Sequence, residues 1–312
     1  MPVALRKDRC ATERDNTHDE ESSAEVRRPH RRGCLSLTAC GSDGGNQAEG
    51  NDKELTIAVF NGWDEGIATS ELWKAVLEEK GYDVKLEYSD VAPLFTGLSQ
   101  GDYDLTTDVW LPVTHKDYID KFGDQIEDLG AWNEESKLTV AVNKDSDINS
   151  LEELADNADK FGNKIVGIES GAGLTKTMES SVIPEYGLEG MDFTTSSTSA
   201  MLAELKTATD AKEDVIVTLW EPHWAYASFP IKNLEDPKGA LGGTESLHTY
   251  ARDGFSEDHA EVAKWMGDFK MDLDKLYDLE NLLFVENDTD DYQPLVKQWM
   301  EDNKDYVEGM TS

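Results

Sequence analysis

Three tryptophans stand where predicted strands end, and side chains at such positions can reach a ligand. Trp63, Trp110 and Trp220 each follow or close a short run of β-forming residues. Ligands of open α/β sheets bind in the crevice at the carboxyl ends of the strands, so these indole rings are candidates for a binding site. The alternative is that each ring caps the core of its own lobe, and the pattern alone favours that structural role.

Residues for catalysis or metal binding are not grouped in any recognised pattern. The six histidines are scattered and lack the spacing of metal ligands. The chain has neither a phosphate-binding glycine loop ending in Lys-Ser or Lys-Thr nor a Gly-x-Ser-x-Gly motif. Residues 145–149 and 287–291 only faintly resemble calcium loops, because both lack the required glycine and glutamate. We therefore expect no cofactor, no metal and no enzyme activity, with a hydrolase using Glu221 and His223 as the alternative.

The elements that position these residues follow from hydrophobic periodicity. The predicted strands are 55–60, 84–88, 105–110, 137–142, 165–168 and 215–219. The predicted helices are 67–80, 91–100, 118–122, 150–160, 174–181, 199–208, 257–269 and 294–307. Strands that alternate with helices indicate parallel sheets built from βαβ units. Because the series runs twice, the sequence predicts an α/β protein with lobe I at 54–142, completed by 290–312, and lobe II at 143–289.

Composition excludes several classes of partner. The formal net charge is −36, which repels nucleic acid and anionic lipid surfaces. No run of about 18 apolar residues is present, so we expect no transmembrane helix. All three cysteines lie within the first 40 residues. The body of the chain therefore has no disulfide, cysteine nucleophile or cysteine-based zinc site.

The first 40 residues differ from the rest of the chain. Residues 1–32 contain seven arginines and one lysine, whereas residues 41–312 contain one arginine and 20 lysines. This change predicts that residues 1–32 are a misread or frame-shifted leader. A disordered tail on an intracellular protein is the alternative.

The end of this segment resembles a bacterial lipobox. The sequence Leu-Thr-Ala-Cys-Gly-Ser occupies residues 37–42, and a polar run follows it. We expect residues 1–40 to be a leader ending in the lipobox, with cleavage before Cys40 and a lipid on its thiol. Residues 41–53 would then form a flexible tether to the membrane. The intact mass of the native protein tests this expectation.

Four motifs resemble the glycine betaine-binding proteins of ABC importers. They are Asn-Gly-Trp-Asp-Glu-Gly-Ile-Ala at 61–68, Val-Trp-Leu-Pro-Val-Thr-His-Lys at 109–116, Gly-Ile-Glu-Ser-Gly-Ala-Gly-Leu at 167–174 and Leu-Trp-Glu-Pro-His-Trp at 219–224. The resemblance keeps motif order and extends over nearly all of residues 54–310. One departure is Leu219, where the family commonly has glycine.

This resemblance implies a two-lobed periplasmic-binding-protein fold of type II-like topology, with the ligand in the interlobe cleft. Six residues match the family's binding positions: Trp63, Trp110 and Trp220 in an aromatic cage, and His115, Gly173 and Leu174 at the ligand carboxylate. Tryptophan faces attract a trimethylammonium group, which has no proton to donate. A histidine N–H and the amides at a helix start suit a carboxylate.

The function implied is that of an extracellular solute-binding protein. It would capture glycine betaine, or a relative such as proline betaine, and deliver it to the membrane permease and its ATPase subunits. Its place would be the extracellular face of the cytoplasmic membrane, with Cys40 as the lipid anchor and no nucleic acid as partner. The alternatives are a choline or carnitine binder of the same importer class, the hydrolase, and an adhesin whose tryptophans are purely structural.

Overall fold

The computed structural model describes residues 53–287 and 289–312. The predictions for the leader, the lipobox, Cys40 and residues 41–52 lie outside these residues. The strands are β1 Glu54–Phe60, β2 Asp83–Ser89, β3 Leu105–Leu111, β4 Ile126–Asn143, β5 Lys164–Val166, β6 Asp192–Thr194, β7 Ile216–Glu221, β8 Ile231–Asn233 and β9 Thr244–Arg252.

Helices pack against the sheet formed by these strands. The α-helices are α1 Asp64–Glu79, α2 Val91–Gln100, α3 Lys116–Phe122, α4 Gly173–Thr177, α5 Ile183–Tyr186, α6 Thr198–Ala211, α7 Ala225–Ser228, α8 Phe255–Asp258, α9 Ala260–Asp268, α10 Leu273–Glu280, α11 Gln293–Asp302 and α12 Lys304–Met310. Short 3₁₀ segments occupy Gly123–Gln125, Leu151–Glu153 and Ala155–Phe161, and π-helical turns occupy Met178–Val182 and Asn281–Val285. No helix of the described part of the chain is long and apolar enough to cross a membrane.

The sheet consists of two parallel groups joined by an antiparallel pair. Its order is β2-β1-β3-β9-β4-β7-β5-β6, and β8 pairs with β4 beside this path. Strands β2, β1 and β3 are parallel to one another, as are β7, β5 and β6. The long strand β4 pairs through its first part with β9 and through its last residues with β7, antiparallel in both cases. It therefore belongs to both halves of the protein.

Strand β9 pairs with strands of a different lobe from the one in which the sequence placed it. Residues 244–252 fell within the predicted lobe II, but they pair with β3 and β4, two strands of the predicted lobe I. Every second side chain in this segment is buried, namely those of Glu245, Leu247, Thr249 and Ala251. This alternation is the two-residue period of a β-strand. The strand was missed because two of its buried positions carry polar residues, so the hydrophobic pattern is weak.

Other elements follow the predicted pattern with local differences. The predicted strand 137–142 is only the end of β4, whose earlier part contains Gly130 at φ 126° and several register shifts. The predicted helix 150–160 forms two 3₁₀ segments instead, although the capping box at Ser150 and Glu153 is present. The Asn157 amide donates to the Glu153 carbonyl at 2.8 Å, a side-chain bond that competes with α-helical geometry.

Strand β1 and helix α1 form the part of the core next to Trp63. Residues 57–60 of β1 are at most 1% exposed, as expected for a strand covered on both faces. Leu72 and Trp73 of α1 are fully buried against this sheet. The late helix α11 packs on α1, where the Gln293 amide donates to the Glu71 carboxylate at 2.6 Å. The end of the chain thereby supports the helix that follows Trp63.

Candidate functional site

The three strand-end tryptophans line one cavity. Trp63 is the residue before α1, and Trp110 and Trp220 are the second-last residues of β3 and β7. The unfilled space between them, including its mouth, is about 260 Å³. The ring centroids of Trp63 and Trp220 are 6.4 Å apart with an interplanar angle of 59°. The other residues of the wall are Glu65, Thr114, Leu138, Ile168, Ala172 and Leu174.

Acidic side chains fix the orientation of two of these indole rings and of a neighbouring one. Trp220 donates its Nε1–H to Oε2 of Glu65 at 2.9 Å, and Trp110 donates to Oδ1 of Asp108 at 2.7 Å. Trp224 donates in the same way to Oδ2 of Asp64. Since the only polar atom of each ring is bonded at its edge, the apolar faces remain available for other contacts.

His115 lies beside the cavity rather than in its wall. Its ring stacks on Trp63, with centroids 5.5 Å apart and planes 16° apart. Nδ1 of His115 accepts the backbone N–H of Trp110 at 2.9 Å, whereas Nε2 is buried and has no hydrogen-bond partner in the described part of the chain. Burial lowers the pKa of His115 to about 3, so the ring is neutral near pH 7. Because Nδ1 is an acceptor, the proton resides on Nε2 and forms an unused donor.

The glycine turn before α4 approaches the loop that follows β3. Leu174 is in the cavity wall, and Gly173 lies in the adjoining cleft with Thr114. A Cβ atom added to Gly173 would stand 2.2 Å from the backbone oxygen of Thr114. Glycine is therefore required for this close approach of the two segments. The amides at the start of α4 have no acceptor within the helix, which leaves them free to bind an anion.

Several contacts connect the two halves of the site. The bonds from Trp220 to Glu65 and from Trp224 to Asp64 join residues of β7 and its following loop to α1. Glu245 of β9 accepts the backbone N–H groups of residues 113 and 114 at 2.9 and 2.8 Å, which fixes the loop facing Gly173.

A group of buried carboxyls behind the tryptophans was missed by the sequence reasoning. Burial raises the pKa of Asp64 to about 6, and burial, with the nearby Asp64 adding to it, raises the pKa of Glu65 to about 8. The pKa values of Asp108 and Glu280 are also raised, mainly by burial and then by the charge of Glu65. The adjacent acids at 64 and 65 in the first motif were a sequence signal for an acidic group near the site. Nothing in the sequence placed residues 108 and 280 beside them.

Glu221 and His223, the residues of the hydrolase alternative, have separate partners. Glu221 accepts from the Asn233 amide at 2.5 Å and pairs with Lys137 at 2.9 Å. Nδ1 of His223 accepts the backbone N–H of Ala225 at 3.0 Å, and burial lowers the pKa of this histidine to about 3. Across residues 53–287 and 289–312, no group of three or more His, Cys, Asp or Glu side chains is placed to hold a metal ion.

Comparison with known proteins gives one family match over most of the chain. Residues 53–302 match the OpuAC family, the substrate binding domain of the ABC-type glycine betaine transport system. The glycine betaine/carnitine transport binding protein GbuC of Listeria monocytogenes serotype 1/2a is 33% identical over 145 residues. That match covers 46% of this chain and 47% of the relative, so the chain spans about half the length of this curated relative.

Two solved structures are similar over all or nearly all of their length. Lactococcal OpuAC in its closed-liganded conformation, complexed with glycine betaine, has a TM-score of 0.77 and 27% identity, covering 83% of this chain and 100% of that one. The glycine/betaine/L-proline-binding protein ProX of Borrelia burgdorferi has a TM-score of 0.78 and 31% identity, covering 83% of this chain and 97% of that one. The predicted two-lobed periplasmic-binding-protein fold is confirmed.

The contact between α1 and Asp108 generates a stability prediction. A Cβ atom on Gly66 would lie 2.5 Å from Oδ2 of Asp108, so Gly66→Ala is expected to lower the free energy of unfolding by about 1–3 kcal/mol. The matched control is Gly309→Ala in α12, where a Cβ atom meets nothing within 4 Å. It should be neutral or stabilising by up to about 1 kcal/mol. Urea denaturation measures both, and equal stability of the two variants would contradict the described packing.

Proposed function

Because the chain belongs to the family of substrate-binding domains of ABC-type glycine betaine transport systems, we propose that it captures glycine betaine or a related quaternary-ammonium zwitterion for an ABC importer. The observation that carries this proposal is the single cavity lined by Trp63, Trp110 and Trp220. Three aromatic side chains that line one space suit a cation that offers no hydrogen-bond donor.

The cation of the ligand would be held by the indole faces. A trimethylammonium group has no N–H, so a hydrogen-bonding site gains nothing from it, whereas each tryptophan face contributes roughly 0.5–2 kcal/mol. The methyl groups also bury apolar surface against the rings. Hydrated sodium ions gain little from such a site, which favours the organic cation in saline surroundings.

The carboxylate of the ligand would be bound at the opposite side of the cavity. The unpartnered Nε2–H of His115 and the backbone amides of Gly173 and Leu174 are the donors that support this assignment. The His115 ring stacks on Trp63, so in this assignment the same ring would support the cage and donate a hydrogen bond. Leu219 is fully buried in β7, and we propose no direct contact of its side chain with the ligand.

The lobe division gives a mechanism of closure. We propose that lobe II comprises about residues 143–243, because β9 pairs with β3 and β4, α9 packs on β4, and α10 and α11 pack on α1. Trp63, Trp110 and His115 then belong to lobe I, and the other three binding residues to lobe II. Only the closed form assembles the whole site, so ligand shifts the population toward closure.

The partners and location follow from this role. The closed form would be recognised by the permease of the importer, which is driven by its ATPase subunits. We place the protein outside the cytoplasmic membrane, anchored through a lipid on Cys40, and we assign it no catalytic activity. The separate partners of Glu221 and His223 support that assignment over the hydrolase alternative.

Ligand identity is tested by titration, with intrinsic tryptophan fluorescence or calorimetry as the readout. Glycine betaine and proline betaine should bind, and sodium acetate should not, because it lacks the cation. Choline lacks the carboxylate that residues 115, 173 and 174 would bind, so we expect it to bind more weakly. Binding of choline in preference to glycine betaine would favour the alternative choline-binding function.

The cage predicts a loss of affinity when either facing ring is removed. Trp63→Ala and Trp220→Ala should each weaken glycine betaine binding at least tenfold, about 1.4 kcal/mol, since each removes one aromatic face. Trp63→Tyr keeps a face and should retain more of the affinity than Trp63→Ala. Calorimetry on variants shown to be folded by circular dichroism measures this. Parental affinity in both alanine variants would refute the cage.

The approach of Gly173 to Thr114 predicts a defect in closure. Gly173→Ala places a methyl group within van der Waals overlap of the Thr114 backbone oxygen, and the clash is relieved if the lobes stay apart. We expect glycine betaine affinity to fall at least tenfold with little change in the free energy of unfolding. Gly171→Ala, in the same turn, is the control because nothing lies within 4 Å of its added Cβ. Similar affinities of the two variants would contradict the prediction.

A further inference from the structure

Three buried carboxyl groups lie behind the tryptophan cavity without a cation among them. The side chains of Glu65, Asp108 and Glu280 belong to residues that are 1%, 1% and 0% exposed, on α1, β3 and α10. Within the described ranges 53–287 and 289–312, no lysine or arginine contributes to the charge environment of any of the three. A buried acid without a positive partner is unfavourable in its ionised form.

The hydrogen bonding of this group is incomplete. Glu65 and Asp108 each accept one indole N–H, from Trp220 and Trp110. Oδ2 of Asp108 is buried and has no hydrogen-bond partner among the described residues, and the backbone N–H of Trp224 is the one hydrogen-bonding group that favours the ionised form of Glu280 there. Only Glu65 of the three also forms part of the cavity wall. It is therefore the one acid of the group that a ligand in the cavity would contact.

The other groups that face this cluster are acidic or neutral. His223 lies with Nε2 at 3.8 Å from Oδ2 of Asp64, and burial lowers the pKa of this histidine to about 3, so it carries no charge near neutral pH. Tyr277 on α10 and Tyr292 before α11 face Glu280 and Asp64, and burial raises the pKa of both phenols, so they stay neutral as well. Asp64 adds a further negative charge from the same helix as Glu65.

We propose that Glu65 is a specificity-determining residue, which becomes the counter-ion of the ligand's permanent cation and gives up its proton when that cation enters the cavity. In this step the carboxyl O–H bond breaks, the electron pair stays on Glu65, and the proton passes to water outside the cleft. The bond from the Trp220 indole to the same carboxyl is kept. The inference rests on the proposed function, because it takes a quaternary ammonium as the ligand.

The direction of the pH dependence follows from the burial of Glu65. Burial raises the pKa of Glu65 to about 8 in the free protein, so near pH 7 this carboxyl is mostly protonated. A cation in the cavity favours the ionised form and lowers that pKa in the complex. Affinity must then rise with pH between the two pKa values and level off above about pH 8. Asp64, whose pKa burial raises to about 6, is already mostly ionised at pH 7 and contributes little there.

Calorimetry in two buffers of different ionisation enthalpy counts the protons released on binding. At about pH 7 we expect the parent protein to release roughly half to one proton per glycine betaine bound. Glu65→Gln can still accept the Trp220 indole N–H, but it has no proton to lose. Its proton release should fall to near zero, and its affinity should become independent of pH, at least tenfold weaker than the parent at about pH 9.

A matched variant and a ligand without a cation complete the experiment. Glu71→Gln alters another buried acid of α1 that is bonded to Gln293 and lies outside the cavity wall, so it should release as many protons as the parent. The compound tert-butylacetate keeps the shape and carboxylate of glycine betaine but has carbon in place of nitrogen. Its binding should be weak in the parent protein and should release no proton.

The outcomes separate this inference from the proposed function. Binding of glycine betaine without proton release, or equal release by the parent and Glu65→Gln, overturns the role of Glu65 and leaves the proposed function intact. Failure of the parent to bind any quaternary ammonium overturns the proposed function, and the inference with it. If Glu65→Gln does not fold, the proton count and pH dependence of the parent protein still decide the question.

Discussion

The hydrogen bond from the Trp220 indole to the Glu65 carboxyl is the contact on which the rest of the site depends. It joins the end of β7 to the start of α1 and fixes a ring that would otherwise need a partner for its buried N–H. Asp108 does the same for Trp110, and Gly66 allows that acid to approach α1 closely. Because the edges of Trp110 and Trp220 are bonded to acids, their apolar faces remain available for contact with a ligand.

A second constraint is the antiparallel pair of β4 and β9. It joins two groups of parallel strands into one sheet, and the carboxyl ends of β1, β3 and β7 deliver the three tryptophans to one cavity. A chain that leaves one lobe through β4 and returns through β9 has two connections between its halves. Such a paired connection permits the halves to move apart about the strands while their internal packing stays intact.

The site combines features suited to the two ends of a zwitterion. In the proposed assignment, the cation would meet indole faces with a buried acid behind them, and the carboxylate would meet a histidine N–H and backbone amides at the start of a helix. Among the residues that the structure describes, neither a lysine nor an arginine is in the cavity wall. Recognition as proposed would therefore depend on ring faces, dipoles and one ionisable carboxyl, an arrangement that would limit competition from hydrated inorganic ions.

The sequence by itself determined the α/β class, most strands and helices, and the position of three tryptophans at strand ends. Periodicity and motif order are local properties of a chain, so they can be recognised without the fold. It could not place β9, whose buried Glu245 and Thr249 weaken the hydrophobic pattern. Only the tertiary structure showed that His115 lies behind Trp63 with a free N–H, and that Glu65, Asp108 and Glu280 meet in one buried group. These residues come from separate elements, and their burial and charge depend on contacts that no local pattern encodes.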